Sequence, residues 1–198
     1  MTNDKMKPNQ RLIVAISGAS GAVYGIRALE MLRAAGIESH LVVSKAAALS
    51  LEAETELSLP DVQALADVVY KPADIGAAIA SGSFRTLGML IAPCSVKTLG
   101  EITTGVTSSL VSRAADVCLK ERRRLVLMGR ESPLHLGHLR SMAAVTEMGA
   151  IVAPPMPAFY TKPKSLDDMV RQTVARSLAL FDIDVPMTRW GEDISLND

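Results

Sequence analysis

Cysteine is scarce in this sequence. The 198 residues hold only Cys94 and Cys118, too few for a disulfide framework, so the fold must rest on packing and a reducing compartment is expected. Aromatic residues make up 4% while hydrophobic residues make up 48%, so the core should be aliphatic. An excess of one charge is also missing: 21 basic side chains stand against 21 acidic ones, with a pI near 6.8. Without clustered positive charge there is little to release counterions from a phosphate backbone, which argues against nucleic acid as a partner. No single-sign run points to a membrane surface, and no apolar run approaches the roughly 20 residues that span a bilayer. The start MTNDKMKPNQ has no apolar signal core, so a cytoplasmic protein is the expectation. So many apolar residues in one small domain point to burial between copies as well, and a homo-oligomer is expected.

What is present is an alternation of strands and helices. Residues 1–10 are polar, contain Pro8, and read as a flexible arm before the domain proper at 11–182. Residues 183–198 form a short tail that holds the only tryptophan, Trp190. Apolar runs at 12–16, 41–43, 89–92, 125–128 and 151–153 are continuous rather than alternating, as strands buried on both faces of a parallel sheet require. Helices are predicted at about 21–35, 44–55, 95–103, 107–121, 136–148 and 165–181. The last of these carries Met169, Val170, Val174, Leu178 and Phe181 at helical spacing. The pattern predicts a single-domain, doubly wound α/β sheet, in which ligands lie beyond the carboxyl ends of the strands.

The strand ends carry the chemistry. The first strand runs into Ser17-Gly18-Ala19-Ser20-Gly21, whose glycines let the backbone approach an anion and whose helix start offers free N–H groups. It is not a clean GxGxxG, and the second strand ends at Ser44 rather than at the acidic residue that holds an adenosine ribose. A mononucleotide phosphate or a polyol chain, as in flavin mononucleotide, suits the hydroxyls of Ser17, Ser20 and Ser44 better. The alternative is a tight turn with serine as a helix cap. A second strand-to-helix turn, Pro93-Cys94-Ser95-Val96-Lys97-Thr98, would meet the first in the same crevice. Cys94 reads as a small buried residue, since no histidine lies near it in sequence.

Gly129-Arg130-Glu131-Ser132-Pro133 places an arginine fork and a proton-carrying glutamate after another strand, although an ordinary ion pair would also account for them. The basic run from Lys120 to Arg124 is explained by dipole compensation at a helix end. A proline-stiffened loop, 154–163, would hold Tyr160 rigidly. His135 and His138 lack a third ligand nearby, and no metal is expected.

Taken in order, Gly18-Ala19-Ser20-Gly21, Ser81-Gly82-Ser83, Pro93 to Leu99, Arg113-Ala114-Ala115-Asp116-Val117, Leu119 to Arg123, Arg130-Glu131-Ser132-Pro133-Leu134, Phe159-Tyr160 and Arg189-Trp190 resemble the UbiX-type flavin prenyltransferases. The likeness spans residues 11–191. The stretch Ser81-Gly82-Ser83-Phe84-Arg85-Thr86 looks more like the branch associated with non-oxidative hydroxyarylic acid decarboxylase systems than the ubiquinone-pathway branch.

The resemblance implies a flavodoxin-like, Rossmann-type three-layer αβα fold, a dodecamer, and metal-independent transfer of a dimethylallyl group from dimethylallyl phosphate to reduced FMN. The prenylated FMN would then serve a UbiD-type decarboxylase. Carried over by position, Gly18, Ala19, Ser20, Ser44, Ser95, Val96, Lys97, Thr98 and Arg130 would bind FMN. Lys120, Tyr160 and Arg176 would hold the isoprenoid phosphate, Glu54 and Glu131 would be the acidic residues of the reaction centre, and Trp190 would close over it. The chain departs from the family pattern at Ile75, Ser109, Gly129 and Arg140. Two other readings share the flavin site: a non-enzymatic flavin carrier, and an FMN-dependent cysteine-type decarboxylase. The latter class typically has a catalytic histidine after the first helix, and this chain has only His40 nearby.

Overall fold

The computed structural model describes residues 10–194, so nearly all of the expected arm lies outside the described residues. Six strands, β1 (Arg11–Ile16), β2 (Glu38–Val43), β3 (Val68–Tyr70), β4 (Gly88–Cys94), β5 (Arg124–Gly129) and β6 (Ile151–Val152), form one sheet in the order β3-β2-β1-β4-β5-β6. Every pairing is parallel, with Val14 beside Leu41 on one side and Leu90 on the other. The expected αβα doubly wound fold is therefore present. The order reverses between β1 and β4, and the crevice for ligands opens there.

The continuous apolar runs are explained by burial on both faces. Leu12, Val14 and Ile16 pack under α1 (Ala22–Ala34), α2 (Lys45–Glu54) and α7 (Leu166–Ala179). Ile13 and Ala15 pack with Leu99 of α4 (Val96–Thr104), Val111 and Ala115 of α5 (Leu110–Lys120) and Val145 of α6 (Leu136–Glu147). Val170, Val174 and Leu178 of the predicted last helix are buried, and Met169 is half-buried.

Serines set the helix starts. Ser44, Ser95, Ser109 and Ser165 each accept a first-turn N–H through the side chain, a bond whose loss typically costs about 1 kcal/mol. Two short elements escape a sequence reading. The helix α3 (Leu59–Gln63) is only one turn long, and β3 is a three-residue edge strand whose short run Val68-Val69-Tyr70 is passed over.

Candidate active site

Two turns meet at the switch point, and one hydroxyl joins them. Ser17, 1% exposed, donates through Oγ to the Pro93 carbonyl at 2.9 Å and accepts the Ser95 N–H at 2.8 Å. The hydroxyl expected to meet a ligand therefore serves the scaffold. Ser44 Oγ accepts the Ala47 N–H at 3.1 Å, and Ser95 Oγ accepts the Thr98 N–H at 3.2 Å while donating to Thr98 Oγ1. With those caps in place, the N–H groups of Lys45, Ala46, Val96 and Lys97 have no protein acceptor among the described residues. Two helix starts thus present open amides, the arrangement that binds anions.

These amides border a cleft of about 410 Å³, lined by Gly18, Ser44, Lys45, Ala46, Ser95, Lys97 and Thr98 and walled by Pro72, Ala73 and Val111. Gly18 is required by close approach, because a Cβ there would collide with Cβ of Ala46. Open amides on one side and an apolar wall on the other suit a phosphate-bearing planar ligand such as FMN. Sequence reading missed Glu101 in this wall. Its Oε1 accepts Lys97 Nζ at 2.6 Å and Ser108 Oγ at 2.6 Å, and the i, i+4 spacing from Lys97 was the available signal.

The start of α1 differs from the other two helix starts in having a protein acceptor. Glu54 Oε2 accepts the N–H of Gly21 at 2.7 Å and of Ala22 at 3.1 Å, so a protein carboxylate occupies that helix end. Burial alone would raise the Glu54 pKa. The Gly21 amide, the Ser20 hydroxyl, the Ala22 amide and the Arg130 charge outweigh it and hold Glu54 below the usual carboxylate value. Arg130, which follows β5, therefore faces the same place. Glu131 is exposed beside it and accepts the Ser132 N–H at 3.0 Å.

The other predicted residues lie elsewhere on the chain. Lys120 ends α5 and precedes β5, whereas Arg130 follows β5; a six-residue strand separates the two by ~20 Å. Its Nζ pairs with Glu121 at 2.5 Å and lines a second cleft with Asp116, Leu119 and Arg122. Tyr160 and Arg176 share a third cavity of about 300 Å³ beside β6, and Trp190 stands edge-on to Tyr160 with ring centroids 5.4 Å apart. One chain thus brings Gly18, Ser44, Ser95, Lys97 and Thr98 around one cleft, sets Ser20 and Arg130 beside Glu54, unites Tyr160, Arg176 and Trp190 in a separate group, and leaves Lys120 apart from these.

The remaining candidates take structural roles. Arg123 donates to the carbonyls of Phe84 and Gly82, and Arg124 pairs with Asp182. Burial pushes the Cys94 thiol up to about 12, so it is no thiolate nucleophile. His135 and His138 stack at 3.6 Å, and among the described residues no group of three or more His, Cys, Asp or Glu could hold a metal ion. Of the departures from the family pattern, Ser109 caps α5 and lines the flavin-type cleft, while Ile75 and Arg140 are exposed. A Cβ on Gly129 would meet only Met142, at 3.7 Å. Among the described residues no helix is long and apolar enough to cross a membrane.

A family model described as Flavoprotein matches residues 1–177. A flavin prenyltransferase UbiX of Escherichia coli strain K12 is 58% identical over 185 residues, covering 91% of this chain and 98% of its own length. This chain belongs to the UbiX family. Among solved UbiX structures, AnUbiX (PadA1) in complex with FMN and dimethylallyl pyrophosphate matches with a TM-score of 0.91 and 49% identity, covering 92% of this chain and 98% of its own. A dodecameric FMN-dependent UbiX-like decarboxylase from Escherichia coli O157:H7 matches with a TM-score of 0.88 and 50% identity, covering 91% of this chain and 98% of its own. The UbiX-type resemblance read from the motifs is borne out.

Proposed function

We propose that this chain is a flavin prenyltransferase that joins the dimethylallyl group of dimethylallyl phosphate to N5 and C6 of reduced FMN. The observation that carries this reading is the meeting of Gly18, Ser44, Ser95, Lys97 and Thr98 around one cleft with open helix-start amides, in a chain 58% identical to a flavin prenyltransferase. No histidine lines that cleft, and His40 is bound on both ring nitrogens elsewhere, so the cysteine-decarboxylase alternative gains no support.

Gly18, Ala19, Ser20, Ser44, Ser95, Val96, Lys97, Thr98 and Arg130 would hold FMN, which in its reduced form supplies the nucleophilic atoms. The open amides would meet its phosphate. Breaking the allylic carbon–oxygen bond of the donor places growing negative charge on the departing phosphate. Lys120 and Arg176 offset that charge, and the Tyr160 hydroxyl donates to it. Glu54, kept ionised by the α1 amides, supplies a fixed negative charge near the developing allylic cation. Glu131, free of any ion pair among the described residues, takes the proton released in ring closure. The tail closes the donor side through Trp190.

The cations and the cleft lie on different edges of one chain, so the reading requires assembly of several copies. Exposed Leu134, Leu136 and Leu139 around the start of α6, with Met156 and Phe159 in the loop after β6, offer apolar surface for it. A dodecamer like that of the E. coli O157:H7 relative fits the proposal. A UbiD-type decarboxylase is the proposed recipient of the product. The test is anaerobic incubation with reduced FMN and dimethylallyl phosphate, followed by mass spectrometry of the extracted flavin. A gain of one C5H8 unit is expected; flavin that is bound but unmodified would move the reading to a carrier.

A further inference from the structure

We propose that Gln172 is a positioning residue that clamps the C-terminal segment so that Trp190 stands against Tyr160, making the tail a working wall of the donor-phosphate cavity. The proposal rests on the prenyltransferase reading for what the cavity binds. It rests on geometry alone for the clamp.

Gln172 and Arg176 lie one turn apart on α7 and line the same cavity as Tyr160. The Gln172 amide reaches past that cavity to the chain beyond Val185. Its Nε2 donates to the Thr188 carbonyl at 2.7 Å, and its Oε1 accepts the Thr188 N–H at 3.0 Å. Only an amide side chain presents a donor and an acceptor side by side in this way, so it satisfies both main-chain groups of one residue as a neighbouring antiparallel strand would. Among the described residues, these two are the hydrogen bonds that tie 186–194 to the body of the domain. The others in that segment are local, from Arg189 to Asp193, Arg189 to Asp184 and Gly191 to Ile194.

The anchoring therefore changes character along the tail. Phe181, Ile183 and Val185 are buried and hold the tail by packing. Among the described residues beyond them, Met187 packs partly against the core, and the Gln172 amide fixes the direction in which the chain leaves. Trp190 follows two residues later and meets Tyr160 at an interplanar angle of 77°, the edge-to-face arrangement that aromatic pairs favour. A tail released at Thr188 frees Trp190 and removes the packing that orients the Tyr160 ring.

Trp190 is the only tryptophan in the chain, so its emission reports the tail directly. The experiment uses the full-length assembled protein and compares wild type with Gln172→Leu, which keeps bulk but forms no hydrogen bond. Gln172→Glu is the second variant, since it retains an acceptor for the Thr188 N–H and loses the donor. The expected result for Gln172→Leu is red-shifted Trp190 emission with lower anisotropy. KM for dimethylallyl phosphate should rise about tenfold, with kcat within about twofold and FMN affinity unchanged, since FMN sits at the other cleft. The anisotropy of Gln172→Glu should fall between the two.

Unchanged emission and anisotropy in both variants would overturn the clamp. A loosened Trp190 with unchanged KM would overturn the link between tail and donor cavity. A wild type that yields no prenylated flavin at any donor concentration would defeat the prenyltransferase reading, and with it that link, while the emission of the variants still judges the clamp by itself.

Discussion

Ser17 shows how far one hydroxyl's neighbours decide its role. Its sequence context suggests a ligand-binding serine, and the turn it starts is indeed at the site. Its bonds run to Pro93 and Ser95, more than seventy residues away, and such partners leave no local trace in the sequence. The same holds for Glu54, whose place at the start of α1 depends on α2 folding back beside it. By contrast, the caps made by Ser44 and Ser95, which were read as ligand-binding residues, do leave a local trace, because a cap acts on residues two or three positions ahead. Removing the Ser17 hydroxyl leaves the buried Ser95 N–H without its acceptor, which costs about 1–3 kcal/mol. Ser17→Ala should therefore unfold at lower urea concentration and bind FMN about tenfold more weakly, as the two turns lose their tie. Wild-type values for both in equilibrium titrations would contradict that role.

At the level of elements, the strand and helix pattern was readable because burial on both faces of the sheet gives unbroken apolar runs. One edge, β6, was read from its run at 151–153, whereas the β3 edge was passed over, since its run has only three residues and its stability comes from its neighbours. His40 is the chief of these contacts. Buried in β2, it bonds Tyr70 of β3 at 2.9 Å through Nδ1 and Glu38 at 2.9 Å through Nε2, and its ring meets Phe84 edge-on. Arg11 of β1 pairs with the same Glu38 and covers Phe84. Burial pushes the His40 pKa below 6.5 despite the opposing pull of Glu38. The folded state then binds the proton less readily than the unfolded state, so this contribution is complete above pH 6.5 and is lost as pH falls below it. Asp67, lowered chiefly by the Ser39 N–H, adds loss below its ordinary 3.8. Urea midpoints should drop between pH 7.5 and 5.5, and His40→Gln should flatten that drop. Equal slopes in the two proteins would rule out His40 as its source.

For the whole molecule, the order of the sheet sets what one chain can do. Helix starts and strand carboxyl ends gather Gly18, Ser44, Ser95 and Arg130 on one edge, while Lys120 stands where α5 turns back toward the amino end of β5. Sequence motifs could name these residues through resemblance, but they could not show that the folded chain holds them apart. Under the proposed function, the prenyl-transfer site is completed between copies of the chain. The most direct test mixes two inactive variants, Lys120→Ala and Arg130→Ala, by co-expression, and measures prenylated FMN formed by the assembled protein. If the parts come from different chains, mixed assemblies should recover about a quarter of the wild-type yield when chains pair at random across an interface. A mixture as inactive as either variant alone would mean that each chain must carry every part itself, and would contradict the account.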